Sequence, residues 1–327
     1  MPFCQNLNSL GRDLGNIKGF FRTTKHSFSQ RKSCGERATE RRLNDCGAPY
    51  CLAQLRSSFG LQDNRTMTLI ATVAATGLEV ESFTTPSDVW AQWRKLPIGT
   101  FVIGRHRIPA VLKRSARGLQ FFATAPGLGG ATAPESIEHQ IAKIKLVLGM
   151  RAAGYQARVE QPGSTPSGEQ WQADVLVQTA RGPLAVEVQL AQQHWDEYRS
   201  RTARYRASGV SVVWLVRDAH FKALGNSRIR FLMTQGWSID EAMNRALEDM
   251  PCMPLVGPVG DGEGHRVVAY PTDRPEPFLR LPLEAFGAGV AAGALRMGEI
   301  RYSDGARSWP AWMWDSTKVP DVLMPPV

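Results

Sequence analysis

The feature that most constrains this chain is a pair of apolar segments, QADVLVQT (172–179) and PLAVEVQL (183–190), separated only by Ala180, Arg181 and Gly182. β-branched residues in short runs joined by a glycine-containing link predict an antiparallel hairpin. Side chains alternate across a strand, so Glu187 and Gln189 point one way while Val186 and Val188 point into a core that Val175 and Val177 can share. The hairpin is therefore expected to carry Asp174, Glu187 and Gln189 on one face. A later run, VSVVWLV (210–216), is apolar throughout, as a strand buried on both faces requires.

Helical patterns flank these strands. SIEHQIAKIKLVLGM (136–150) sets Ile137, Ile141, Ile144 and Leu148 on one apolar stripe, and HWDEYRSRTARYRASG (194–209) ends at Gly209, a common residue just past a helix end. With YQARVEQPG (155–163) as a short strand, the order from 136 to 216 reads helix, three strands, helix, strand, which makes the chain α/β. Upstream, Met67 opens a strand and turn, and Ser87 is expected to cap a helix over 87–96 that places Val89, Trp90 and Trp93 on one face. Residues 99–124 read as a small antiparallel unit with a basic turn at Lys113 to Arg117, and APGLGGATAPES (125–136) as a linker. Downstream, Ser238 and Glu241 form a capping box for a helix over 238–250, and 281–300 reads as a Gly- and Ala-rich packing helix. Trp309, Trp312 and Trp314 are expected to close a core edge rather than to stack on bases. The divisions are thus a basic leader (1–66), a β-rich unit (67–130), a central α/β domain (131–218) and a mostly helical C-terminal region (219–327).

Charge sharpens this division. Lys and Arg number 39 against 30 Asp and Glu, a net +9, but residues 1–66 hold 11 of the former and 5 of the latter, leaving only +3 for the remainder. The abrupt change at Met67 makes it the expected natural start, with a basic nucleic-acid-binding arm as the alternative reading of the leader. Four of the five cysteines, Cys4, Cys34, Cys46 and Cys51, fall in that leader without a CxxC pair, which argues against a secreted disulfide scaffold and a zinc knuckle alike. No apolar run reaches the roughly 18 residues of a spanning helix, so a cytoplasmic protein without membrane partners is expected. GPVGDGEG (257–264) lacks the lysine of a phosphate loop and the flanking strand and helix of a dinucleotide site, so no nucleotide cofactor is expected.

Two carboxylates a hairpin's width apart suit a hard divalent cation such as Mg²⁺, which takes oxygen ligands. In phosphodiester hydrolysis such an ion activates water and neutralises charge on the phosphate. By itself, D-x(12)-E-x-Q is more commonly the solvated face of a half-buried sheet. The wider pattern decides otherwise. The run from Glu138 to Val216 resembles the nuclease domain of competence protein CoiA-like proteins, members of the PD-(D/E)XK nuclease superfamily. The resemblance rests on His139 and Lys143 in the first helix, Asp174 on a strand, Glu187 and Gln189 in an E-x-Q strand, and Arg201 and Tyr205 in the later helix, with Arg201 twelve residues beyond Gln189.

That resemblance implies an α-β-β-β-α-β core in which Asp174 and Glu187, with the Val188 carbonyl, hold Mg²⁺ or Mn²⁺, while Gln189 stands where many members carry lysine. It implies Glu138 as a third acidic residue, and His139, Lys143, Arg201 and Tyr205 as contacts to DNA. Members usually precede this core with a zinc-ribbon-like unit holding a C-x-x-C pair and a closing F-A-H. Here the corresponding stretch has no cysteine and ends in Thr124, so a degenerate unit without zinc is expected, held by Val111, Leu112, Phe121 and Phe122; Ala191 replaces a common serine. The leading expectation is a metal-dependent nuclease or nuclease-like DNA-processing protein, related to competence and recombination; the other is a catalytically silent DNA-binding accessory protein of the same fold.

Overall fold

The computed structural model describes residues 67–128, 135–246, 252–257, 264–272, 278–301 and 308–319. The basic leader with its four cysteines and most of the glycine loop at 257–264 lie outside the described residues. From Met67 the chain forms β1 (Met67–Thr68), β2 (Ile70–Val73), β3 (Glu79–Glu81), α1 (Ser87–Trp93), β4 (Phe101–Ile103), β5 (Ile108–Arg114) and β6 (Gln120–Thr124). The strands make one antiparallel sheet in the order β1-β6-β5-β4-β2-β3. Its core is aromatic: Trp90 meets Phe122 edge to face at 4.9 Å, with Phe101, Ile103 and Ala71 alongside. Phe122 is fully buried, whereas Val111 and Phe121 are only half-buried. The basic turn lies where expected, with Gly118 at φ +84°, a conformation that favours glycine. Ser87 does not cap α1; Pro86 precedes the helix and no side chain takes the orphan amides.

The following elements are α2 (Ile137–Ala152), β7 (Ala157–Ser164), β8 (Gln170–Thr179), β9 (Gly182–Gln189), α3 (Trp195–Ala207) and β10 (Ser211–Arg217), in the order read from the sequence. β7, β8 and β9 are antiparallel neighbours, and β10 returns parallel to β9 after the α3 crossover. Gly209, at φ +71°, ends α3 as expected.

The region after 218 corrects the expectation of a mostly helical tail. After α4 (Asp218–Thr234) and α5 (Ile239–Arg245) come β11 (Cys252–Val256), β12 (Arg266–Pro271), β13 (Leu279–Pro282), α6 (Leu283–Ala291), β14 (Leu295–Arg301) and β15 (Ser308–Trp314). These strands extend the central sheet to the order β14-β15-β12-β11-β10-β9-β8-β7, with β13 also on β12. The expected single helix over 281–300 is α6 flanked by two strands, because Gly293 at φ +80° turns the chain after Ala291. Trp314 closes the core as expected, fully buried and stacked on Phe286. The Ser238 and Glu241 capping box is present on α5.

Alternation along β10 shows the layering: Val213 and Leu215 join a core with α2 and α6, while Val212, Trp214 and Val216 join one with α3. The sheet is thus covered on both faces. α2 buries a different stripe from the one expected. Ala142, Leu146, Val147 and Met150 are inside, whereas Leu148 is 44% exposed. The cause is α6, which packs so closely that a Cβ at Gly149 would lie 2.0 Å from the Glu284 carbonyl oxygen. The rotation turns Lys143 inward until it is fully buried.

Candidate active site

The site forms where the central hairpin opens. β8 and β9 pair in register from Thr179↔Gly182 to Val175↔Val186, and beyond that side chains take over the ladder. The Asp174 amide donates to Glu187 Oε1 at 3.3 Å, and the Val188 amide donates to Asp174 Oδ2 at 2.9 Å. Alternation slips here, since Ala173 and Leu176 both pack on the α3 side while Val175 and Val177 pack on the α2 side. A strict period of two forbids that arrangement, so the strand carries a local irregularity at Asp174. The two carboxylates therefore touch through backbone amides but turn to opposite helices, and the single face expected for Asp174, Glu187 and Gln189 is divided.

Asp174 turns to α2. Its Oδ2 lies 3.0 Å from His139 Nε2, and His139 Nδ1 lies 3.4 Å from Glu135 Oε2. Ser136 starts α2 by accepting from the His139 amide, which fixes His139 on the first turn above the sheet. Burial works against a charge on His139, but Asp174, and to a lesser degree Glu135, outweigh it and raise its pKa. Glu187 turns to α3. Arg201 donates to Glu187 Oε2, and the Tyr205 hydroxyl donates to Oε1 while lying 3.1 Å from the Gln172 carbonyl oxygen. Burial raises the Glu187 pKa, with Asp174 adding to it and Arg201 opposing. Arg201 lies over the Trp214 ring at 4.7 Å, so its guanidinium is held both by a carboxylate and by an aromatic face.

The remaining sequence-derived residues are less central. Gln189 donates through Nε2 to the Ala191 carbonyl at 2.8 Å. Glu138 has Arg217 at 2.7 Å on one oxygen and His265 at 2.8 Å on the other. Lys143 is enclosed, its Nζ 2.7 Å from both Glu135 Oε2 and Glu160 Oε1. Sequence reasoning passed over Glu135 and Glu160. Glu135 stands in a Pro-Glu-Ser segment just ahead of a cap residue, and Glu160 in a strand without clean alternation; neither position carries a periodic signal.

Among the described residues, Glu135, His139 and Asp174 offer donor atoms that all lie within 4.8 Å of one another. Two carboxylates and an imidazole fit a divalent cation, and the mixed set suits Mn²⁺ better than Mg²⁺, which favours oxygen alone. Glu187 fits less well, because both of its oxygens already accept hydrogen bonds in a fully buried position.

The central strands thus part around a buried carboxylate pair, with a histidine and an arginine brought in from helices on opposite faces. Residues 135–252 match the family described as competence protein CoiA, nuclease-like domain. The chain thus carries a domain of that family, in agreement with the resemblance drawn from His139, Lys143, Asp174, Glu187, Gln189, Arg201 and Tyr205. Neither the curated proteins nor the solved structures hold a match to the chain. No helix among the described residues is long and apolar enough to cross a membrane.

Proposed function

We propose that this domain hydrolyses phosphodiester bonds of DNA with the help of Mn²⁺ or Mg²⁺, held by Asp174, His139 and Glu135. The observation that supports this reading is the gathering of three donor atoms within 4.8 Å of one another beside a second, buried carboxylate. A bound ion would supply Lewis acidity toward a phosphate oxygen and an acidified water. The protein's own groups have separate tasks. Asp174 is kept in place by the Val188 amide, so it presents its carboxylate without a search through rotamers. Arg201, whose side chain is 25% exposed, offers guanidinium N–H groups beyond the one on Glu187 and can bind a phosphate oxygen. Glu187 and Tyr205 hold that guanidinium rather than touching substrate. Lys143 and Glu138, both engaged elsewhere, do not serve as substrate contacts in this reading.

The second reading, a DNA-binding domain without catalysis, is supported by the closure of Glu187 under Arg201 and by the use of the Gln189 amide on Ala191. Ligation by Glu187 would require Arg201 to leave it. One experiment separates the two. Single- and double-stranded DNA are incubated with the protein in Mn²⁺, Mg²⁺ or EDTA, and both binding and cleavage are followed. Cleavage that needs the cation and disappears in Asp174→Ala supports hydrolysis. Binding that is equal in EDTA, with no cleavage under any condition, supports the silent reading, and cleavage that survives Asp174→Ala with Glu187→Ala removes the assigned site altogether.

A further inference from the structure

Glu160 is the residue of this domain that local rules explain least. It lies inside β7, opposite Asp174, between the register pairs Val159↔Val175 and Gln161↔Ala173. Its φ is +53°, in the left-handed region that a non-glycine residue rarely enters, and its side chain is buried. Backbone held in such a region persists only where surrounding contacts impose it, and it gathers at functional sites. The contacts here are specific. Glu160 Oε2 accepts from the Thr68 hydroxyl and from the Leu69 amide at 3.2 Å, both from the β-rich unit outside the matched domain. Glu160 Oε1 lies 2.7 Å from Lys143 Nζ, and the same ammonium lies 2.7 Å from Glu135 Oε2.

A fully buried ammonium must have its charge balanced nearby. Lys143 has two carboxylates, and one of them, Glu135, also belongs to the donor set with His139 and Asp174. Without Glu160, more of that balance would fall on Glu135, and the ammonium would compete with a cation for it. We propose that Glu160 and Lys143 are positioning residues for the cation: Glu160 takes up part of the charge of Lys143 and so lessens its pull on Glu135, and Thr68 of β1 fixes Glu160 in place. The inference rests on the cation reading above and adds to it a contribution from outside the domain that the family defines.

The test is Mn²⁺ binding by the full chain, read from the loss of the free-ion electron paramagnetic resonance signal, with folding checked by circular dichroism. Glu160→Gln is expected to weaken binding about tenfold or more, the usual effect of removing a group that supports a ligand. Adding Lys143→Met removes the competing ammonium, and the double variant is expected to recover affinity to within about threefold of the wild type. A merely structural role predicts the opposite, a double variant no better than the single. Thr68→Val, which deletes one hydroxyl donor, is expected to weaken binding about threefold, and it decides alone should Glu160→Gln fail to fold. Wild-type protein that binds no Mn²⁺ removes the cation reading and this inference with it. Wild-type binding that is unchanged in Glu160→Gln and Thr68→Val, or a double variant without recovery, overturns this inference only.

Discussion

Arg201→Met tests the electrostatics of the buried carboxylate directly. In the folded protein Glu187 is fully buried and its charge is balanced by Arg201 on Oε2, with the Tyr205 hydroxyl and the Asp174 amide on Oε1. Methionine keeps much of the packing over Trp214 but removes the charge. Breaking one partner of a buried pair costs about 3 to 5 kcal/mol, a large part of the 5 to 15 kcal/mol that ordinarily holds a domain folded. The loss should depend on pH. Burial already raises the Glu187 pKa and Arg201 opposes that rise, so without Arg201 the folded pKa climbs further. An acid with a raised folded pKa binds its proton more tightly when folded. Its contribution to stability is complete below the unfolded carboxylate value of roughly 4.3 and is lost as pH rises through the folded value. The deficit of Arg201→Met is therefore expected to be small at pH 5 and large at pH 8, measured by urea unfolding in EDTA-containing buffer. Adding Glu187→Gln, which removes the charge but keeps an acceptor, should recover most of the loss at pH 8. An equal deficit at both pH values, or no recovery in the double variant, would refute the assignment of Glu187 as a charge that Arg201 stabilises.

Two further outcomes are expected. Gly149→Ala places a Cβ 2.0 Å from the Glu284 carbonyl oxygen, where backbone and not a flexible side chain must move, so thermal unfolding should report a loss of about 1 to 3 kcal/mol or more, whereas an unchanged midpoint would mean that α2 and α6 are not this close. Cys252 is fully buried in β11 and burial pushes its thiol pKa up, so iodoacetamide at pH 8 followed by peptide mass mapping should leave it unmodified in the native protein and modify it in urea.

Much of the central domain was legible because its signals are local. The Ala-Arg-Gly link predicts the hairpin of β8 and β9, the apolar run predicts β10, and Gly209 predicts the end of α3, each from a few adjacent residues. The tail was misread for the same reason. β11 to β14 carry no clear period, and they become strands because each finds an edge to pair with, β11 on β10, β12 on β11, β13 on β12 and β14 on β15. Propensity in a short segment is a weak guide where such an edge is available.

The site divides along the same line. Strand alternation placed Asp174 and Glu187 together, the family resemblance added His139 and Arg201, and these four do meet where the hairpin opens. The sequence also determined the order of helices and strands that brings them there. Only the tertiary structure decided how they are used. The slip at Asp174 turns one carboxylate to α2 and leaves the other with α3, the close approach of α6 rotates Lys143 inward, and the left-handed turn at Glu160 brings a third carboxylate to that ammonium. None of these follows from periodicity, because a buried charge is placed by partners distant in sequence: Thr68 lies 92 residues from Glu160 and Glu187 lies 14 from Arg201. Its position is the one at which all the charges are balanced at once, and that condition exists only in the folded chain.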